Sequence, residues 1–321
     1  MNASCFLARV SLPLFLLAAS TPSAAQVNKI TNGDFEQGAA SFFSSYFLAS
    51  DDLGAGYYDV RAFPENWNPF FSSCRDHTPG NGAGSCDECF LVADGISSNV
   101  IVWAQAFDVA PNTSYRFRYW YVSLYPWNTA KMQTWIRRES PTPSGGVLQG
   151  EAWFTDNADC LWRPVEYVWS SGDTTRITVY LEDVEGEENG NDFALDDLVF
   201  YECGPHSTSP ANVRIAQGGT AVFSVSATAA DPLTYQWQRE NPPGNWSNLA
   251  NGFTGTGSMI LGAMTATLQV VNASNLDSGN YRVIVSSCSS WVSNPASLIV
   301  VRRFSRLWPR LGLPTVVVPA H

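Results

Sequence analysis

The sequence predicts an all-β chain built as two β-sandwiches in tandem, and three observations carry that reading. Apolar and polar residues alternate through 100–121 and again through 175–182, which is the period of a half-buried strand. No stretch of useful length repeats with helical period, so nothing is on hand to build a helical layer. A Pro, Ser and Thr stretch over 204–211 then separates the first strand-rich block from a second one, where strands recur about every ten residues.

Bulk composition narrows the function classes. Of 321 residues 45% are hydrophobic and 15% charged, enough apolar material for two medium cores and too much for a disordered chain. Formal net charge is −11; setting aside Arg9, Arg302, Arg303, Arg306 and Arg310 leaves 13 basic against 29 acidic residues, or −16 over 26–301. Such a body repels nucleic acid and anionic membrane surfaces, so neither is expected as a partner. The 12 Trp and 12 Tyr with few charges suit sheets that carry stacking surfaces.

Residues 1–25 read as a signal peptide: Arg9, an apolar run from Val10 to Ala19, then Ser23-Ala24-Ala25, with cleavage expected after Ala25. The run is too short to span a bilayer and no later segment reaches the roughly 20 apolar residues needed, so a secreted or cell-surface protein without membrane insertion is expected. In an oxidising compartment Cys74, Cys86, Cys89, Cys160, Cys203 and Cys288 pair as disulfides. The competing reading is a zinc site, because Cys74-x2-His77 and Cys86-x2-Cys89 have suitable ligand types and spacing.

In chain order, Ile30-Thr31-Asn32-Gly33-Asp34-Phe35-Glu36 is a short strand entering a Gly turn, with two acids about a core-type Phe. Residues 38–99 are turn-rich, with long loops and short strands. Ile101, Trp103, Gln105, Phe107 and Val109 alternate, Pro111-Asn112-Thr113 turns, and Tyr115, Phe117, Tyr119 and Tyr121 alternate in turn, which predicts a hairpin. Strands follow at 131–137, 165–170 and 175–182, the last with Ile177, Val179 and Leu181 inward and Thr178, Tyr180 and Glu182 outward. Trp127, Trp153 and Trp162 fall in the loops between.

The stretch Asn191–Cys203 is the last strand of the first block. Phe193, Leu195, Val199 and Tyr201 lie on one side and Ala194, Leu198 and Phe200 on the other, so both faces are covered. Asp196 and Asp197 interrupt it. A buried carboxylate needs a cation, a metal or several N–H groups, and two neighbours point to opposite faces unless the strand bulges. Calcium takes six to eight oxygens, so this corner and the one at Asp34 and Glu36 can form one site if sheet pairing joins them. The alternatives are a wet sheet edge and a solvated N-terminal turn.

The pieces Asn32-Gly33-Asp34-Phe35-Glu36, Asp76-His77-Thr78, Val92-x2-Gly95, Trp103-x-Gln105, Pro111-Asn112-Thr113-x-Tyr115 and Gly190–Asp197 resemble bacterial galactose-binding-like jelly rolls, similar to the carbohydrate-binding modules of secreted xylanases and cellulases. The resemblance covers 28–203 and implies a structural Ca2+ held by Glu36 and one of Asp196 and Asp197, with Asp34 as a further candidate. The cysteines at 86–89 depart from that pattern. Beyond the linker, Tyr235-Gln236-Trp237 and Asp277-Ser278-Gly279-Asn280-Tyr281 resemble an immunoglobulin-like domain over 209–301, with Phe223 and Val283 where a bridging cysteine pair is expected. The domain plan is therefore signal peptide 1–25, galactose-binding-like jelly roll 26–203, linker 204–211, immunoglobulin-like domain 212–301, and a basic tail 302–321 expected to be disordered. Cys203 either clamps the two domains through Cys288 or pairs with Cys160.

Catalysis has little to work with. Three histidines, two of them in the linker and at the C-terminus, do not suggest a Ser-His-Asp site, and the acids of Glu182–Glu188 read as solvated loop residues more readily than as a glycosidase pair. Sugars offer flat C–H faces ringed by hydroxyls, so exposed aromatics near Asn, Gln and Asp suit them. Trp67, Tyr125, Trp127 and Trp153 stand in turn-rich contexts and are the candidate binding rings. The expected function is a non-catalytic, secreted carbohydrate-binding protein with poly- or oligosaccharide or cell-surface glycan as partner; the alternative is an extracellular structural or adhesion protein working through protein contacts.

Overall fold

The computed structural model describes residues 27–49, 54–78, 86–97, 99–127, 129–140, 145–154, 158–184 and 190–302. The expected signal peptide and all of the tail beyond 302 lie outside them. Among the described residues the chain is all-β, with single 3-10 turns at Pro64–Asn66 and Asn275–Asp277.

The first unit holds ten strands: β1 (Phe47–Leu48), β2 (Tyr57–Arg61), β3 (Phe90–Ala93), β4 (Val100–Asp108), β5 (Ser114–Ser123), β6 (Lys131–Ser140), β7 (Gly146–Trp153), β8 (Arg163–Ser170), β9 (Arg176–Asp183) and β10 (Phe193–Glu202). They form a jelly-roll sandwich of one sheet ordered β1-β2-β3-β10-β5-β8 and another ordered β4-β9-β6-β7. Between the sheets lie Trp103, Phe117, Tyr119, Val179, Leu181, Phe193, Leu195, Leu198 and Phe200, all with no exposure. Burying that apolar surface is the main stabilising term.

Three strand expectations are corrected. β4 and β5 alternate as expected but do not pair with each other: β4 bonds to β9 and β5 to β10 and β8, so the Pro111–Thr113 turn carries the chain from one sheet to the other. Alternation reports which face is buried and is blind to which strand is the neighbour. Ser171 Oγ donates to the Ala110 and Thr113 carbonyls at 2.8 and 3.1 Å and holds that crossing. β7 arises where a loop was expected, paired with β6 and ending on Trp153. In β10 the register shifts between Asp196 and Val199, with Asp197 in the left-handed region at φ 48°. That bulge inverts the alternation, so Leu198 and Phe200 share the core face of Phe193 and Leu195 instead of opposing them.

The six-stranded sheet is covered on its outer face as well. Trp67, Phe71 and Cys74 pack there on Phe90, Val92, Val122 and Ala194, and the Cys74–Cys160 bridge fastens the covering segment. The cysteines pair as Cys74–Cys160, Cys86–Cys89 and Cys203–Cys288, so the disulfide reading holds over the zinc one.

The second unit is an immunoglobulin-like sandwich. One sheet joins Val213–Ala216, Ala296–Val301, Gly279–Ser286, Thr234–Glu240 and Trp246–Asn248 in that order, and the other joins Ala221–Ser224, Thr267–Val271, Met259–Leu261 and Gly252–Phe253. Trp237 is fully buried beside Phe223, and its indole N–H donates to the Thr265 carbonyl at 2.8 Å. The Tyr281 hydroxyl donates to the Asp277 carbonyl at 2.7 Å, a corner bond within the Asp277–Tyr281 stretch. Phe223 and Val283 fill the place of a bridge with apolar contact. Within the stretch expected as linker, His206–Ser207 pairs with Ala227–Thr228. The units are joined by the Cys203–Cys288 bridge and by Arg116, whose Nη2 lies 3.1 Å from Asp231 Oδ2.

Candidate functional site: an open aromatic sheet face and two acid pockets

With one sheet covered, the outer face of β4-β9-β6-β7 is the open broad surface of the jelly roll. β9 alternates strictly, so Thr178, Tyr180 and Glu182 point away from the core. Trp135 on β6 is the register partner of Tyr180, and their rings lie 6.0 Å apart and 4° from parallel. Across β9, Ala104 and Ala106 of β4 are the partners of Tyr180 and Thr178, and their small side chains leave a hollow of about 710 Å³. Phe43 bridges Ala104 at the sheet edge and lines the hollow together with Tyr180 and Arg137.

Gly146 makes this face possible. A Cβ there would come 2.4 Å from the Tyr180 hydroxyl and 3.2 Å from the Trp135 ring, so any side chain at this position would displace the ring pair from its place over β7. Polar groups flank the rings. Arg137 Nε approaches Glu139 Oε1 at 3.4 Å, and that oxygen also accepts from the Thr178 hydroxyl at 3.0 Å. Burial pushes the Tyr180 phenol up, the Glu182 charge adds to the shift and Arg137 opposes it. The Trp135 indole N–H is buried without a hydrogen-bond partner. A hollow with aromatic walls and convergent amide, guanidinium and carboxylate groups has the size and chemistry of a small-molecule or glycan site.

The rings named from sequence fall differently. Trp67 is 6% exposed, edge-on to Phe71 at 5.7 Å, and so is a core residue; the turn around it is pressed against the six-stranded sheet, which sequence context does not reveal. Tyr125 and Trp127 form an edge-to-face pair at 5.2 Å in the loop after β5, with Trp127 65% exposed. Trp153 is 58% exposed at the end of β7, with Lys131 Nζ 5.0 Å over its ring. Trp135, Tyr180 and Phe43 were missed; the outward Tyr180 of a clean alternation was the usable signal.

The acidic residues named for a metal separate into two groups. The chain start runs along β10: Lys29 N–H donates to the Phe200 carbonyl at 2.8 Å and Leu198 N–H to the Gly33 carbonyl at 2.8 Å. This carries Glu36 toward β10 and a third acid, Asp76, which the sequence reading placed only in a motif. Asp196 is 1% exposed and accepts from the His77 N–H at 3.2 Å and the Asp197 N–H at 2.7 Å. Burial pushes its carboxyl up to about 11, with hydrogen bonding to Asp76 and the Asp197 charge adding. Burial also raises Glu36, against the Cys89 N–H bond and with the Asp76 charge. Glu36 Oε2 and Asp76 Oδ2 are buried without partners. Asp197 turns away on the bulge: its carboxylate takes His77 Nδ1 at 2.6 Å and the Thr78 hydroxyl, while His77 stacks on Trp120 at 3.9 Å. Asp34 is exposed and borders a separate small hollow with Asp197.

Two orphaned carboxylate oxygens beside a third buried acid are the donor set a hard cation takes, so Glu36, Asp76 and Asp196 fit calcium. Among the described residues the only three metal-type ligand atoms within 4.8 Å of one another are those of Cys203, Asp231 and Cys288, whose sulfurs are joined to each other. Asp196 and Asp76 are in side-chain hydrogen-bonding contact, but the three acids Glu36, Asp76 and Asp196 do not draw together as closely as that trio.

A second acid pocket was not anticipated. Asp94, Asp183 and Asp192 are 8%, 0% and 7% exposed. Asp183 accepts from the Tyr46 hydroxyl at 2.7 Å, and Asp192 accepts from the Gly95 N–H at 3.0 Å. Burial, then the Asp94 charge, pushes Asp192 up to about 7. Gly95 is required here, since a Cβ would sit 1.8 Å from Asn191 Oδ1.

No known protein family matches the sequence, and no curated protein does. Among solved structures the chain is similar to the CBM22-1 xylan-binding domain from Paenibacillus barcinonensis, at 12% identity over 53% of this chain and 90% of that one, with TM-score 0.33. It is also similar to the titin M3 domain, at 22% identity over 30% of this chain and 97% of that one, with TM-score 0.25. At these scores the likenesses carry no weight for function.

Proposed function

We propose that the protein is a secreted, non-catalytic carbohydrate-binding protein whose jelly roll takes a glycan chain across the outer face of β4-β9-β6-β7. The parallel Trp135 and Tyr180 rings beside the Ala104–Ala106 hollow carry this reading. A sugar ring stacks its C–H face on such rings, and its hydroxyls meet Arg137, Glu182 and Gln105, which line the hollow. The residues there suit binding better than hydrolysis, since Glu182 has no second carboxylate facing it across the hollow among its lining residues. The immunoglobulin-like unit acts as a spacer, held to the jelly roll by the Cys203–Cys288 bridge.

Ca2+ belongs to this proposal as a structural ion. Glu36, Asp76 and Asp196 would hold it, and it would neutralise buried carboxylates while tying the chain start to the closing strand. Affinity electrophoresis of the full chain against xylan, β-glucan, galactan, mannan and a sulfated polysaccharide tests the function. Retardation by at least one neutral polysaccharide is expected. Free migration through all of them would discard the carbohydrate reading and leave protein contact, for which the exposed Phe47, Phe63 and Phe70 are the surface to probe.

A further inference from the structure

The Cys86–Cys89 bridge closes a loop of two intervening residues, Asp87 and Glu88, too short to contribute much by linking distant parts of the chain. Its place in the fold is more informative. The Cys86 N–H donates to the Glu36 carbonyl at 2.9 Å, and the Cys89 N–H donates to Glu36 Oε1 at 3.2 Å. The two ends of the bridged loop therefore grip one residue, by its backbone and by its carboxylate. The other carboxylate oxygen, Oε2, is buried and unpartnered on a residue only 8% exposed. Cys89 is fully buried and leads directly into β3, whereas Asp87 and Glu88 are exposed.

We propose that the Cys86–Cys89 bridge is a redox-addressable clamp that aims Glu36 into the Glu36–Asp76–Asp196 pocket and so sets its affinity for a divalent cation. The clamp rests on the reading of that pocket as a calcium site. Closed, it fixes one oxygen of Glu36 on the Cys89 amide and leaves the other for the ion. Opened, Cys86 is free to leave, the Cys86 N–H bond to the Glu36 carbonyl goes with it, and Glu36 loses its fixed direction. A dithiol reductant opens it by two exchange steps: its two S–H groups become one S–S bond, two electrons and two protons pass to the protein, and Cys86 and Cys89 become thiols. Partners that orient a metal ligand change affinity by about 10- to 100-fold when removed. By linkage the ion in turn stabilises the closed bridge by the same factor.

The test is Ca2+ titration of the oxidised full chain, the Cys86→Ser/Cys89→Ser variant and a Cys203→Ser/Cys288→Ser control, read by tryptophan fluorescence from Trp120 and Trp162 near His77 and by melting temperature. Expected is a fall in Ca2+ affinity of about tenfold or more in the first variant and none in the control. Equal affinity in both variants would overturn the clamp while leaving the calcium site standing. An oxidised chain that takes no Ca2+ would overturn the calcium reading itself, and the clamp with it. Should the first variant fail to fold, the wild-type chain equilibrated in dithiol redox buffers and mapped by alkylation decides: Ca2+ is expected to shift the Cys86–Cys89 equilibrium at least tenfold, about 30 mV for a two-electron couple. An unmoved midpoint for that pair in a chain that binds Ca2+ would overturn it.

Discussion

The Gly33 carbonyl accepts the Leu198 N–H at 2.8 Å, and a Cβ on Gly33 would lie 2.0 Å from the Leu198 carbonyl oxygen. The chain start and the closing strand thus approach as closely as two backbones can, just past the bulge that holds Asp196 and Asp197. Gly33→Ala forces them apart. Overpacking of this kind costs about 1–3 kcal/mol, so chemical denaturation is expected to show a midpoint lowered accordingly. A midpoint equal to that of the wild type would mean that this contact does not hold the corner together.

The Trp135–Tyr180 pair is the proposed stacking platform. Tyr180→Ala and Trp135→Ala are each expected to weaken binding of a retained polysaccharide by about 2- to 12-fold, since one aromatic contact is worth about 0.5–1.5 kcal/mol. Trp67→Phe, deep in the satellite core, is expected to leave affinity unchanged and to lower stability. Isothermal titration calorimetry with a defined oligosaccharide separates the two outcomes.

Asp192 gives the jelly roll a pH dependence whose sign is set by burial. Its folded pKa is raised to about 7 from an ordinary 3.8, so between those values the folded state holds a proton that the unfolded chain has lost. Stability therefore falls as pH rises from about 4 through 7, by at most about 4 kcal/mol for this group. Asp192→Asn is expected to lessen the slope over that window, to which Asp94, Asp196 and Glu36, also raised by burial, contribute with the same sign, measured as melting temperature against pH. An undiminished slope would assign it to other groups.

Chelation tests the calcium site directly. With free Ca2+ at 100 times its dissociation constant, the ion adds about 2.7 kcal/mol to stability. EGTA is expected to lower the melting temperature of the wild type and to leave Glu36→Gln/Asp196→Asn unmoved. Identical wild-type melts with Ca2+ and with EGTA would exclude a structural ion.

Legibility followed the range of the interactions. Ile177, Val179 and Leu181 were assignable to the core because a two-residue period is local, and the Asp277–Tyr281 stretch was recognisable because its motif is short and its hydrogen bond closes within it. The β4–β5 pairing failed because strand neighbours are chosen across the whole chain. The same limit hid Asp76 at the pocket and Trp135 beside Tyr180, each of which meets a partner far away in sequence. Trp67 was misplaced for the converse reason: turn residues around it implied exposure, yet the segment lies flat on another sheet.

Taken alone, the sequence determined an all-β chain with two sandwiches, the inward faces of most strands, and the acid-rich character of the chain start and closing strand, all consequences of local pattern. Tertiary structure decided which strands are neighbours, which of the two sheets is covered, and which way the acids on β10 turn. The bulge at Asp196–Asp197 shows why: one left-handed residue reverses the alternation beyond it, and what stabilises that residue is His77 and Thr78, more than a hundred residues away.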